Sequence, residues 1–93
     1  MTEAQLQAAV IELAETFKWR TYHTHDSRHS AKGFPDLCMV RGNVLMFVEL
    51  KSEKGKTTSE QDWWLLDLAQ AGAVVYVWKP EDWLNGDIER SLR

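Results

Sequence analysis

The sequence predicts an α/β sandwich on a mixed central sheet, with elements in the order α-β-β-β-α-β-α. Three observations lead there. Two amphipathic stripes each open with a helix-capping signature, two apolar runs flank a Gly-Asn dipeptide, and the second helical stripe lies between two β-like runs. A hairpin pairs its strands antiparallel, whereas a strand–helix–strand unit favours parallel pairing, so the sheet is expected to contain both.

The first helix is expected from Thr2 to about Lys18. Thr2 and Gln5 fit a capping box, and Leu6, Val10, Leu13 and Phe17 recur at helical spacing. Glu3 falls on that stripe one turn before Leu6, which aims it towards the interior. Trp19 to Thr24 reads as a short strand, and the polar stretch His25 to Lys32 as a loop. Leu37 to Val40 and Val44 to Leu50 flank Gly42-Asn43, a two-residue hairpin signal. Both faces of these runs are apolar, which suits central strands covered on both sides. The stretch Ser52 to Thr57 is polar and contains Gly55. Thr58 and Gln61 fit a second capping box that opens a helix to about Ala71, with Gly72 suited to its C-terminal cap. Trp64, Leu65 and Leu68 form its apolar face, and Gln61 lies on the same side. Ala73 to Trp78 is the last strand. Pro80 suits the first turn of a short helix, with Glu81 and Asp82 at its positive end; Asn85-Gly86 breaks it, and a final turn runs to Leu92.

The chain has 93 residues and is read as one domain over 1–93 with a modest core. One cysteine, Cys38, excludes an intramolecular disulfide and a multi-cysteine zinc site, and is expected in the core. No secretory h-region opens the chain and no apolar run reaches spanning length, so a soluble, cytoplasmic protein without a membrane partner is expected. The net charge is −3, but its distribution is uneven: Lys18 to Lys56 holds eight of the eleven Lys and Arg residues and only four acids. A basic middle between acidic helical ends makes either a one-sided electrostatic footprint or an ordinary solvated mixed surface.

The hairpin carries the chemical argument. With Gly42-Asn43 as the turn, Arg41 faces Val44, and Asp36 then sits opposite Glu49. Opposed Cβ atoms lie about 5 Å apart, and two carboxylates that close repel unless something compensates. A divalent cation does so, and hard oxygen ligands suit Mg²⁺ or Mn²⁺. Period-two alternation puts Lys51 on the face of Glu49, together with Cys38, Val40, Leu45 and Phe47. The main-chain carbonyl of Leu50 could complete the metal shell, Glu3 could hold a water or a second metal, and Gln61 could orient Lys51 or a phosphate. Such a metal polarises a phosphoryl oxygen, and a lysine beside it positions the attacking water or stabilises developing charge. Surface ion pairing alone would also account for Glu49 and Lys51, and a one-residue slip of register would separate the acids.

Around this centre, Arg28, His29 and Lys32 are candidates for phosphate contact, as are Lys54 and Lys56 beside Gly55; the other reading of each is a solvated loop. Zinc binding by His23, His25 and His29 lacks a fourth ligand. Trp63, Trp64, Trp78 and Trp83 either stack on bases or pack in the core or a dimer interface, the second being the more ordinary use.

Pro35-Asp36 followed by Glu49-Leu50-Lys51 resembles the PD-(D/E)xK nuclease signature. The longer set, Gly33-Phe34-Pro35-Asp36-Leu37, Val48-Glu49-Leu50-Lys51, Ser59-Glu60-Gln61, Trp64-Leu65 and Ala71-Gly72-Ala73, resembles the virus-type replication-repair nuclease (VRR-NUC) family from Glu3 to Trp78. The resemblance implies a restriction-endonuclease-like fold and Mg²⁺- or Mn²⁺-dependent phosphodiester hydrolysis on DNA. Asp36, Glu49 and Lys51 map onto the family's catalytic core, Glu3 onto its first-helix acid and Gln61 onto its post-motif glutamine. Stand-alone members of this size look like phage-type proteins similar to homodimeric resolvases of four-way (Holliday) junctions, which implies branched DNA as substrate and a second copy as partner. The alternative is a DNA-binding module of the same fold without catalysis.

Overall fold

The computed structural model describes residues 1–24 and 31–93. Its elements are α1 (Glu3–Thr16), β1 (Arg20–His23), β2 (Leu37–Arg41), β3 (Val44–Leu50), α2 (Ser59–Gln70), β4 (Val74–Trp78), α3 (Pro80–Leu84) and α4 (Asp87–Leu92). The four strands form one sheet in the order β1-β2-β3-β4; β1, β2 and β3 pair antiparallel, and β4 joins β3 in parallel. The expected α/β sandwich on a mixed sheet is the observed fold.

Both capping boxes form. Thr2 Oγ1 accepts from Gln5 N at 3.1 Å while Gln5 Oε1 accepts from Thr2 N at 2.8 Å. Thr58 and Gln61 make the same pair at 3.2 and 2.8 Å. Each box satisfies two N–H groups that an α-helix leaves without an internal partner. Helix α1 stops short of Lys18, which adopts a left-handed conformation with φ of 73°. Trp19 N donates to Ala14 O and Lys18 N to Glu15 O, both at 3.0 Å, closing the helix as a Schellman turn.

The hairpin register is the expected one, from Arg41 opposite Val44 through Leu37 opposite Val48. Alternation sends Leu37, Met39, Met46, Val48 and Leu50 to one face, where they bury against the α1 stripe of Leu6, Val10 and Ala14. Ala14 rather than Leu13 takes the deepest third position of that stripe; Leu13 and Phe17 pack at its margin. The expectation that both sheet faces are covered needs correction. Helix α2 covers only the part of the second face near Phe47, where Phe34 meets the Phe47 ring edge-on at 5.7 Å and Trp64 at 5.0 Å. Farther towards the turn, Val40 and Leu45 are 41% and 43% exposed, and Cys38 is only half-buried.

The tail also differs from expectation. Beyond Gly86 the chain forms a separate helix, α4, whose Ile88 and Leu92 are fully buried. Arg41 secures it: one guanidinium nitrogen donates to Phe17 O at 3.0 Å and Leu92 O at 2.9 Å, the other to Arg93 O at 2.8 Å. The same guanidinium lies 4.4 Å from the centre of the Trp19 ring, whose Nε1 donates to Leu92 O at 2.8 Å. Among the described residues, no helix is long and apolar enough to cross a membrane.

Candidate active site

Strand β2 ends at Leu37, one residue short of Asp36, yet side chains carry the pairing one step further. Asp36 N donates to Glu49 Oε1 at 3.2 Å, and Leu50 N donates to Asp36 Oδ2 at 2.8 Å. Each acid is thus held by the main chain beside the other. Main-chain bonds also fix the flanks: Thr24 N donates to Asp36 O at 3.1 Å, Thr24 Oγ1 to Pro35 O at 3.4 Å, and Lys51 N to Trp78 O at 3.0 Å. Three strands therefore aim Asp36, Glu49 and Lys51 at one end of the sheet, the end away from the Gly42-Asn43 turn.

Glu49 is 2% exposed, the one buried charged side chain among the described residues. Burial, reinforced by hydrogen bonding and charge from Asp36, pushes its carboxyl up to about 8, against the lowering influence of Lys51. Lys51 Nζ stands 3.8 Å from Glu49 Oε2, with its own side chain 15% exposed. This is not the solvated surface ion pair that the sequence left open. A recess of about 230 Å³ opens over Asp36 and Glu49, lined by Thr24, Ala31, Lys32, Gly33, Phe34, Asp36, Glu49 and Gln61; Lys51 stands beside Glu49 and does not line it.

The recess gathers some candidates and leaves out others. Gln61 lines it, but its Oε1 is committed to Thr58 N, so the amide nitrogen carries the donors it can offer to a phosphate. Lys32 lines the rim and pairs with Glu60 at 3.6 Å. Glu3 is exposed at the start of α1 and does not line the recess, so its expected inward aim is corrected: the stripe reaches the core only from Leu6 onward. Lys54 and Lys56 are exposed on the turn after β3 and stay outside it. Arg28 and His29, with most of the His25–Lys32 loop, lie outside the described residues.

Gly33 and Phe34 were not singled out by spacing, yet they place Asp36. Gly33 has φ of 84°, and a Cβ there would stand 2.6 Å from the carbonyl carbon of Glu60 and 2.8 Å from Gln61 N. Only glycine lets this segment lie so close on the start of α2. Phe34 then wedges between Phe47 and Trp64. The available signal was the Gly–aromatic–Pro punctuation between a polar loop and a strand.

The sequence matches the VRR-NUC domain over residues 2–81. The chain belongs to the VRR-NUC family. Its domain is a nuclease domain of the PD-(D/E)xK type. Among solved structures, it is similar to a protein described as a VRR_NUC domain (26% identity, 83% of this chain and 84% of that one, TM-score 0.67). A second, described as a VRR_NUC domain protein, is 21% identical over 85% of this chain and 78% of that one, with a TM-score of 0.66. The fold is also that of Hjc, a Holliday junction resolvase from Archaeoglobus fulgidus: 20% identity, 83% of this chain, 63% of Hjc, and a TM-score of 0.56. No curated protein matches the sequence.

The donor set can be tested against the divalent ion that this nuclease type implies. Among the described residues, no group of three or more His, Cys, Asp and Glu side chains converges. Two carboxylates do, and Glu49 is raised chiefly by its burial and further by the nearby Asp36. A pair of carboxylates supplemented by water and substrate oxygens is the donor set that Mg²⁺ accepts, and its charge would offset both the burial and the Asp36 repulsion that raise Glu49. The residues fit.

Proposed function

We infer that this VRR-NUC domain is a Mg²⁺- or Mn²⁺-dependent DNA endonuclease, selective for branched DNA and acting as a homodimer. The observation that carries the reading is the joint fixing of Asp36 and Glu49 under an open recess at one end of the sheet, with Lys51 beside Glu49. Asp36, Glu49 and the main-chain carbonyl of Leu50 would hold the metal. When bound, it supplies Lewis-acid charge to the scissile phosphoryl group and makes water more acidic. Lys51, with its Nζ 3.8 Å from Glu49 Oε2, presents its ammonium to the phosphate, where charge builds in the transition state. Gln61 offers its amide N–H₂ to a phosphate oxygen and so orients the backbone. Lys32 at the rim receives a neighbouring phosphate, with Arg28, His29, Lys54 and Lys56 as further contacts, whereas Glu3, exposed and outside the recess, takes no part. The junction preference is taken from the resolvase of the same fold. A two-fold dimer would present two such sites to opposed strands, and the exposed Tyr22, Val40 and Leu45 supply apolar surface for it.

The test is cleavage of four-way junction, flap, duplex and single-stranded DNA in Mg²⁺, Mn²⁺ or EDTA, with sedimentation to give the oligomeric state. Wild type is expected to cut branched substrates only with metal, and Lys51→Ala to lose about 10²–10³-fold in rate while still binding. Cutting that survives Lys51→Ala would remove the mechanism. Binding without cutting in any metal would leave a DNA-binding module of the same fold.

A further inference from the structure

The outer side of α2 carries a second feature that the reaction centre does not use. Glu60, Trp63, Trp64 and Asp67 follow one another at helical spacing, so they share one face of α2. Trp64 turns down onto Phe34, but Trp63 leaves 63% of its surface to solvent, an unusual exposure for the largest apolar side chain. With Lys32 these four residues line a groove of about 170 Å³. Lys32 is the shared wall: it lines this groove and also the recess above Asp36 and Glu49. The groove therefore begins where the reaction centre ends.

Its chemistry selects the occupant. A flat aromatic wall attracts another π-system, and the size suits one ring system rather than a helix or strand. The carboxylates of Glu60 and Asp67 repel phosphate, so the part of a nucleotide that enters is the uncharged base. A carboxylate at the rim accepts hydrogen bonds from exocyclic amino groups, which cytosine, adenine and guanine carry on their base-pairing or groove edges and thymine lacks. Lys32 meanwhile stands where the attached phosphate would pass towards the recess.

Resting on the nuclease reading, we propose that Trp63 is the stacking platform for one unpaired nucleobase next to the scissile phosphate, with Asp67 favouring bases that bear an amino group. A base inside a duplex cannot reach the indole face, so the groove admits only a nucleotide freed at a branch or end. This gives branched-DNA selectivity a residue: the platform rewards an unpaired base beside the cut and offers nothing to continuous duplex.

The experiment measures binding, in EDTA and at low salt, to forked duplexes whose first unpaired nucleotide is dC, dT or an abasic residue. Wild type is expected to bind the dC fork tightest and the abasic fork weakest. Trp63→Ala should weaken the dC fork about ten- to a hundredfold, down to the abasic level, and leave the abasic fork unchanged. Trp63→Phe should keep most of the affinity, and Asp67→Ala, which removes the acceptor, should erase the preference for dC over dT. Trp63 is exposed, so these variants fold. Equal loss on dC and abasic forks, no loss on either, or a Trp63→Ala effect confined to dimer dissociation in sedimentation would each overturn the proposal. Because cutting is not the readout, a wild type that binds forks in this manner but never cleaves would refute the nuclease reading and leave the platform standing.

Discussion

Two residues decide the site, and each makes its own prediction. Glu49 is held protonated well above the ordinary carboxyl range, up to about 8, because burial and Asp36 oppose its charge. The metal-free folded state therefore binds a proton that the unfolded chain releases near 4.5. Stability from this group is present below that value and is lost as pH rises towards about 8, so metal-free wild type should weaken across that window. Urea melts at several pH values check this, and Glu49→Gln should flatten the slope. Protons and metal compete for the same oxygens, so the affinity for Mg²⁺, read by titration calorimetry, should climb with pH and level off above about 8. Gly33 acts through shape instead. A side chain there meets main-chain atoms of Glu60 and Gln61 and also has to sit at positive φ. Gly33→Ala should lose about 2–4 kcal/mol in denaturant melts. Its Mg²⁺ affinity should fall as well, since Asp36 is carried on the same segment.

At the scale of elements, what was legible in the sequence was what neighbouring residues decide. Thr2/Gln5 and Thr58/Gln61 formed their boxes because a capping box needs only four consecutive residues. The β2–β3 register followed from Gly42-Asn43 because a two-residue turn leaves one pairing frame. Asp36, Glu49 and Lys51 inherit their closeness from that frame, which is why spacing could bring them together. What escaped was set by distant parts of the chain. Nothing local distinguishes Val40 and Leu45, left bare, from Phe47, which α2 covers. Helix α4 spans six residues and buries one Ile88–Leu92 pair, too short a pattern to show a period. The early end of α1 was missed for a related reason: its C-terminal turn places Lys18 where glycine is the usual residue. Lys18→Gly removes the left-handed penalty but frees the unfolded chain, and should leave a net gain of about 0.5–1 kcal/mol, seen as a higher melting temperature. A loss of stability would mean that the side chain makes a contact that outweighs its conformation.

On the whole molecule, the described cations of the basic middle do not gather into one surface. Arg41 stands at the turn end of the hairpin and Asp36 just past the other end, separated by roughly 17 Å of extended strand. Arg20 pairs with Val40 and shares the turn end, where Arg41 spends its donors on the carbonyls of Phe17, Leu92 and Arg93. Lys32 lies at the opposite end, on the rim of the recess. Two cations from the same basic stretch should therefore answer opposite tests. Arg41→Ala removes its donors from the carbonyls of Phe17 and Arg93 and leaves Leu92 O to the Trp19 indole alone, and should lower stability by about 2–4 kcal/mol. Measured below its melting temperature, its DNA affinity and the salt dependence of that affinity should match wild type. Lys32→Ala breaks only an exposed pair with Glu60, which contributes little to stability. It should weaken binding at low salt and reduce the slope of log affinity against log salt by about 1, the signature of one lost phosphate contact. An Arg41→Ala slope reduced by the same amount would put DNA across the turn end of the sheet, and the reaction centre would then need a different approach path for its substrate.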